Sequence, residues 1–490
     1  MLRLCGEHGV RVFVHSAAID DINRDRDSMR RWVSLSKIKK FVALTGIQTP
    51  PKSELEARFG LVSKPNDLVD VSLLHALELG AVDFLVTQDH GIHTRARRRS
   101  AQLADRVLIV AEAVAWLRAT FEPTEVRLPQ IQEVPAHAIP IDDQMFDSLR
   151  EGYPQFDQWW RAKCVAEHRP CWIVTIDGDL AGIVVRKDEA RGEANTVNPG
   201  NKVLKICTFK VKPRYRGEKL GELLLKQTLW FAQRNHYDLV YLTAFPEQIA
   251  LIQVLEFFGF HKTKEIDRGE AVYEKPLSAQ RLDPAPGVDL FTLVRESYPR
   301  FTVSPPAKAF CVPIRGEYHD ILFPELVTRA QPDLFAAVGL RLPDAGPHTP
   351  GNTIRKVYLC RARTRALSPG DILLFYRSKS TGSRYSQCVT SVGIVEAVQD
   401  ASDFTDLVHL TAKRSVYSTY QLQEIAVSSD EPVKVIDFLL IGHLDPPVSL
   451  AELIQRGVFA GSPPQSICRL PPERFRPLKQ NMNFGFELAA

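Results

Sequence analysis

The segment Val211-Lys-Pro-Arg-Tyr-Arg-Gly-Glu-Lys-Leu-Gly-Glu-Leu-Leu-Leu225 leads from an apolar strand through a basic, glycine-bearing turn into an amphipathic helix. Such a turn presents backbone N–H groups at a helix N-terminus, aimed where a pyrophosphate can sit, and the helix dipole favours the negative charge. Gly217 and Gly221 let the backbone approach a ligand closely, and Arg214, Arg216 and Lys219 add positive charge. Taken alone, a basic glycine turn before a helix is more often a plain structural turn. A second set of candidates is acidic: Asp20, Asp21, Asp67, Asp70 and Asp89 fall at strand ends and helix starts. A Mg²⁺ or Mn²⁺ ion needs several converging oxygens and open water positions. Asp67 and Asp70 share a helix face at i, i+3, and Asp89 follows an apolar strand ending at Thr87-Gln88. The competing reading is that these acids cap helices and solvate the surface.

The elements that must position these residues fall into three blocks. In the first, Val10–Val14, Asp83–Thr87 and Val107–Val110 read as strands and Asp67–Leu79 as an amphipathic helix, which implies a parallel α/β sheet. A proline-rich stretch, Glu122–Pro140, follows. The second block opens with a helical pattern at Asp143–Glu167, then a hairpin turning at Asp177-Gly178. A long strand Val203–Val211, a helix Gly217–Gln233, a strand Leu239–Thr243 and a helix Glu247–Phe258 come next. The third block, with strands at Ile372–Tyr376, Gly393–Val398 and Asp437–Ile441, reads as a mostly β barrel with small helices.

The central block resembles the GNAT acetyltransferase superfamily. The family's Arg/Gln-x-x-Gly-x-Gly/Ala motif appears here as Arg216-Gly-Glu-Lys219-Leu-Gly221, and a helix ending in Gly-Phe appears as Gln248–Phe260. The resemblance implies an α+β fold and acetyl-CoA as cofactor. It places Arg216, Gly217, Glu218, Lys219, Leu220 and Gly221 at the coenzyme pyrophosphate. Backbone groups of the splayed strand, at Phe209 and Val211, fall beside the thioester. Catalysis would come mainly from proximity and oxyanion stabilisation. Two departures stand out. Lys219 replaces the first motif glycine, and Leu255 occupies the place of the family's frequent general acid tyrosine, which leaves Tyr241 as the candidate acid.

The first block resembles the PIN-domain ribonucleases through Val14–Ile22, Asn66–Ala76 and Phe84–Gly91. By position Asp21, Asp70 and Asp89 would be the Mg²⁺ or Mn²⁺ ligands. The strand that opens such domains is missing, since Met1–His8 reads as the helix after it; either the start is placed too late or the domain is a remnant. The third block resembles the PUA-like superfamily, near its ASCH and EVE branches, through Pro313–His319, Leu367–Arg377, Val392–Val395 and Pro464–Ile467. That resemblance implies RNA or tRNA as partner. Tyr318, Tyr376 and Tyr385 would stack bases while Arg377, Lys379 and Arg384 meet phosphates.

These readings divide the chain into a PIN-like domain at 1–121, a GNAT domain at 128–278, a linker at 279–305 and a PUA-like domain at 306–478. A net charge of +4 neither demands nor excludes nucleic acid. No apolar run reaches the ~18 residues of a membrane span, and no signal peptide precedes the first strand. Eight scattered cysteines without a C-x-x-C pair suit reduced thiols in a cytoplasmic protein. Three functions are compatible with the sequence. One is acetyl transfer to an RNA-linked or translation-related amine. Another is an RNA-binding regulator or toxin-like effector, of the toxin–antitoxin kind, with decayed catalytic domains. The third is a metal-dependent ribonuclease from a longer reading frame.

Overall fold

The structure, a computed structural model, describes residues 1–121, 131–266, 269–326, 349–380, 386–411, 414–428 and 431–488. It divides into two compact units, residues 1–124 with 404–413 and residues 125–403 with 414–490. Among the described residues no helix is long and apolar enough to cross a membrane.

In the first unit the single parallel sheet expected from the sequence is split in two. β1 (Phe13–His15) pairs in parallel with β2 (Val42–Leu44), and β3 (Leu85–Val86) with β4 (Val107–Leu108). Strands this short form few cross-strand bonds, so packing against helices does most of the stabilising. Helix Pro65–Glu78 buries Val71, Leu74 and Leu77 against Leu55, Phe59, Ile92 and Val107. Proline in its first turn and Asp67, which accepts from the N–H groups of Ser63 and Lys64, set its start. The excursion 404–413 belongs to this unit, and His409 Nε2 meets Asp83 at 2.9 Å.

The second unit holds two sheets. The first has seven strands: β5 (Ile131–Pro135), β6 (Pro170–Ile176), β7 (Asp179–Ala190), β8 (Lys202–Val211), β9 (Leu239–Ala244), β10 (His261–Glu265) and β11 (Ala271–Pro276), in the order β10-β11-β9-β8-β7-β6-β5. Asp177 and Gly178 both take positive φ, which gives the expected tight β6–β7 hairpin. The helical stretch expected at 143–167 is broken into Asp147–Gly152, Phe156–Trp159 and a wide π turn Trp160–Val165. Pro154 interrupts it, since proline disfavours a helical residue before it and lacks the N–H to continue one.

The second sheet contains β12 (Ala309–Ile314), β13 (Arg355–Cys360), β14 (Ile372–Arg377), β15 (Cys388–Ala401), β16 (Val433–Ser449) and β17 (Cys468–Leu470). Its order, β13-β16-β15-β14-β12-β17, leaves β13 and β17 as unpaired edges. The barrel expected here is therefore not closed among the described residues. Three register shifts between β15 and β16 bend the sheet without bringing its edges together.

One apolar core serves both sheets. Helix Leu220–Arg234 contributes Leu223, Leu224, Leu229 and Trp230 to a cluster that also holds Val312, Leu374 and Phe438. Segment 279–305, read from sequence as a linker, packs into that core through Val294, Tyr298 and Phe301. The Tyr298 hydroxyl accepts from Trp230 Nε1 and donates to the Leu440 carbonyl, each at 2.9 Å. Buried Lys275 donates to the carbonyls of Phe258 and Glu296 at 2.7 and 2.6 Å, joining two helix C-terminal ends, and burial lowers its pKa to about 7.

Gly259 ends the helix Ile249–Phe257 at φ 80°, and a Cβ there would lie 2.0 Å from the Glu296 carbonyl oxygen. Gly259→Ala should therefore lower stability by about 2 kcal/mol or more. An unchanged urea midpoint in that variant would show that the joint is looser than described.

Candidate functional site

β8 and β9, the two central strands, pair in parallel at Val203↔Leu239, Leu204↔Val240 and Lys205↔Tyr241, and then separate. β8 stays paired to β7 as far as Gly182↔Val211, and β9 to β11 as far as Ala271↔Ala244. An opening therefore lies between Ile206–Val211 and Leu242–Ala244, in the middle of a sheet. Backbone groups inside a sheet normally find partners, so this gap suits an extended ligand with amides of its own. The register between β7 and β8 slips at Val185/Arg186, leaving Cys207 without a partner across the ladder.

At the open end β8 runs into a 3-10 turn, Pro213–Tyr215, followed by Arg216, Gly217 and Glu218, and helix Leu220–Arg234 begins. Gly217 has φ 95°, a region that favours glycine, and Lys219 at φ 59° is left-handed, at a cost of about 1 kcal/mol for a side-chain-bearing residue. A Cβ on Gly221 would meet the Phe209 ring at 3.9 Å, an ordinary contact, so the protein itself does not demand glycine there. The basic residues divide their work. Lys212 pairs with Asp143 and Asp179 at 3.0 and 2.8 Å, and Arg214 pairs with Asp179, which secures the β6–β7 hairpin. Arg216 is exposed, and its charge, after burial, helps to lower the pKa of neighbouring Lys210. The expected anion cradle, Arg216 to Gly221, thus lies on one turn at the mouth of the opening.

The side chains on one face of the opening were mostly not foreseen. Tyr241, expected as a general acid, is 1% exposed and its hydroxyl donates to Glu189 Oε2 at 2.5 Å. Burial and that bond hold its phenol well above the usual range, and its proton serves Glu189 rather than the opening. Lys187 and Lys205 flank the same carboxylate at 3.2 and 3.7 Å. Two residues beyond the last β8–β9 pair, the Cys207 thiol accepts from Arg169 Nη1 at 3.3 Å, and burial raises its pKa. Across the opening, Glu270 accepts from the hydroxyls of Tyr153 at 2.5 Å and Thr243 at 3.3 Å. Glu270 is 6% exposed. Nothing in the sequence marks it, because 117 residues separate it from Tyr153. Leu255 is fully buried in the core and offers no proton.

Residues 135–260 match the model of the acetyltransferase (GNAT) family. The chain carries a GNAT acetyltransferase domain. It is similar to the solved structure of a GNAT family acetyltransferase from Elizabethkingia anophelis with acetyl-CoA bound, at 13% identity over 30% of this chain and 98% of that one, TM-score 0.23. The PaiA N-acetyltransferase from Thermoplasma acidophilum in complex with coenzyme A is 15% identical over 30% and 98% of the two chains, TM-score 0.24. An ASCH protein from Zymomonas mobilis is 16% identical over 35% of this chain and 94% of its own, TM-score 0.24. A comparison with curated proteins gave no match.

Outside the GNAT domain, two expected sites are rearranged. The metal centre expected at Asp21, Asp70 and Asp89 is not assembled: among the described residues no group of three or more His, Cys, Asp or Glu is placed to hold a metal. Asp21 pairs with Arg24 at 2.8 Å, and Asp89 accepts from Gly91 and Ile92 as the cap of helix His90–Arg99. Asp70 is half-buried, and burial followed by the charge of Asp89 pushes its pKa up to about 6.

The expected RNA contacts are also displaced. Tyr376 is 1% exposed, and Arg377, 3% exposed, donates to Asp320 at 3.1 and 2.9 Å, so neither is offered to a base or phosphate. Lys379 is exposed, while Arg384 and Tyr385 lie outside the described residues. A cavity of about 530 Å³ instead gathers Arg315, Tyr318, Tyr358, Arg361 and Tyr417. Rings of Tyr318 and Tyr417 stand 4.5 Å apart, and the Arg315 guanidinium lies 5.6 Å from the Tyr318 centroid. Of this set only Tyr318 was anticipated.

All eight cysteines are free thiols, and their surroundings move their pKa values in opposite directions. Burial pushes Cys164 and Cys171 up to about 12, whereas a hydrogen bond with Cys311 brings Cys468, beside the cavity, down to about 7. Because the thiolate is the nucleophile, iodoacetamide should label Cys468 first, at a rate rising as pH climbs through 7. Peptide mapping that finds Cys164 or Cys171 labelled ahead of it would contradict this order.

Proposed function

We propose that this protein transfers an acetyl group from acetyl-CoA to an amine carried by an RNA-linked or translation-related substrate. The observation that carries the reading is the parting of β8 and β9 directly onto the glycine-bearing turn at the head of helix Leu220–Arg234. Bound acetyl-CoA supplies the acetyl thioester that an amine attacks. The chain's own residues bind, orient and manage protons. Backbone groups at Phe209 and Val211 face the gap left by β9 and complete a ladder with an extended ligand. N–H groups of the turn Arg216–Gly221, other than those of Arg216 and Glu218, which donate to the carbonyls of Pro213 and Tyr215, hold a pyrophosphate together with the charges of Arg216 and Lys219. An attacking amine must be neutral. Glu270, held by Tyr153 and Thr243, draws an ammonium to the opening and takes up or relays its proton. The substrate preference rests on the cavity at Tyr318, Tyr358 and Tyr417, whose aromatic rings and arginines suit a nucleobase with a phosphate.

Calorimetry with coenzyme A, and incubation with labelled acetyl-CoA and fractionated RNA and protein, test this function. Arg216→Glu should weaken coenzyme A binding about tenfold, or ~1.4 kcal/mol. Glu270→Gln should leave coenzyme binding intact and cut transfer by about 10²-fold or more. Measured coenzyme binding with no label in any fraction would remove the catalytic claim.

A second reading is an RNA-binding regulator or toxin-like effector whose acetyltransferase domain binds coenzyme without turning over. Leu255 in the core and the Tyr241 hydroxyl held by Glu189 favour it. It requires RNA retention without acetyl transfer.

A further inference from the structure

The turn that receives the pyrophosphate is not held by the GNAT domain alone. Asn352 Nδ2, from the short helix Thr349–Asn352 that precedes β13, donates to the Glu218 carbonyl at 2.7 Å. Two residues on, the Ile354 N–H donates to Glu222 Oε2 at 3.1 Å. Deeper in, the Lys226 ammonium pairs with Glu325 and donates to the Gly351 carbonyl at 3.3 Å. Glu218, Glu222 and Lys226 are four residues apart, one stripe along the helix and the turn before it. Asn352 is 2% exposed, Thr353 1% and Lys226 2%, so the contacts are dry.

We infer that Asn352 is a positioning residue for the coenzyme: it fixes the orientation of the Glu218–Lys219 peptide in the anion-binding turn. The inference rests on the acetyl-CoA reading above. The peptide group is planar and trans, so its carbonyl and its N–H point in opposite directions. Holding the Glu218 carbonyl towards Asn352 directs the Lys219 N–H away from Asn352, to the other side of the peptide. That peptide is prone to rotate, because rotation would release Lys219 from a left-handed φ that costs about 1 kcal/mol. A rotated peptide would present a carbonyl oxygen where an anion needs a donor. A buried amide donor on the carbonyl opposes that rotation, since breaking the bond would leave both groups unsatisfied. Residues 351–354, from outside the GNAT segment, thereby help to shape its coenzyme site.

The test uses the full chain and calorimetry with two ligands: coenzyme A, and pantetheine, which lacks the pyrophosphate. Asn352→Ala removes the donor. Asn352→Asp keeps the shape but sets an acceptor against the Glu218 carbonyl, and it decides the matter if the alanine variant fails to fold. Each variant should bind coenzyme A at least tenfold more weakly than the wild type and bind pantetheine as the wild type does. Equal coenzyme A affinity would overturn the inference. So would equal losses for both ligands, which would mark a general structural defect. Should the wild type bind neither ligand, the acetyl-CoA reading itself fails, and that outcome is distinct from the other two.

Discussion

Sheets are stabilised by continuous ladders, and a sheet that stops pairing between its two central strands leaves unsatisfied backbone groups unless something else completes it. β8 and β9 do this after Lys205↔Tyr241. The flanking pairs β7–β8 and β9–β11 run on and hold each strand in the sheet, so the opening is a property of the sheet and not of a loose end. Its position decides the rest of the site. One wall ends in the turn Arg216–Gly221; the other carries Thr243, against which Glu270 and Tyr153 are held.

Polar groups around this opening are arranged in closed pairs. Glu189 satisfies Tyr241 and stands beside Lys187 and Lys205; Asp179 gathers Lys212 and Arg214. Burying charges costs on the order of several kcal/mol per ion unless each finds a partner. The pairing therefore limits which side chains remain for chemistry, and it turns attention from the tyrosine of β9 to the carboxylate at Glu270. The same economy operates at Lys226, Glu325 and His443, which meet in the dry core of the second unit.

That shared core alters what a domain boundary means in this protein. A segment rich in proline and turns, 279–305, has the composition of a connection, yet Tyr298 within it bonds to Trp230 on one side and Leu440 on the other. β13, which begins just after the residues that touch Glu218 and Glu222, ends at Cys360 beside the tyrosine-lined cavity. Residues 352–360 thus run from the turn at Glu218 to the cavity.

Local pattern was enough to place the hairpin at Asp177-Gly178, the strand ending at Val211, the basic glycine turn and the helix after it. Each depends on near neighbours: two residues that tolerate positive φ, an apolar run, a proline before a helical stripe. Breaking the helix at 143–167 was also written locally, in Pro154. Tertiary structure decided what depends on distant partners. Tyr376 and Arg377 look like a recognition pair in sequence, but neighbouring strands and Asp320 bury them. The acidic series Asp21, Asp70 and Asp89 has the composition of a metal site, yet caps and an arginine engage two of its members. Glu270 and Asn352 carry no sequence signal, because Tyr153, which holds the one, and Glu218, which the other holds, lie more than a hundred residues away. Sequence by itself determined the hairpin, the strand ending at Val211 and the glycine-bearing turn at the start of the helix, since these follow from short-range backbone preference. Only the tertiary structure decided which polar side chains remain available at the opening, since that depends on how charges from remote segments satisfy one another when buried.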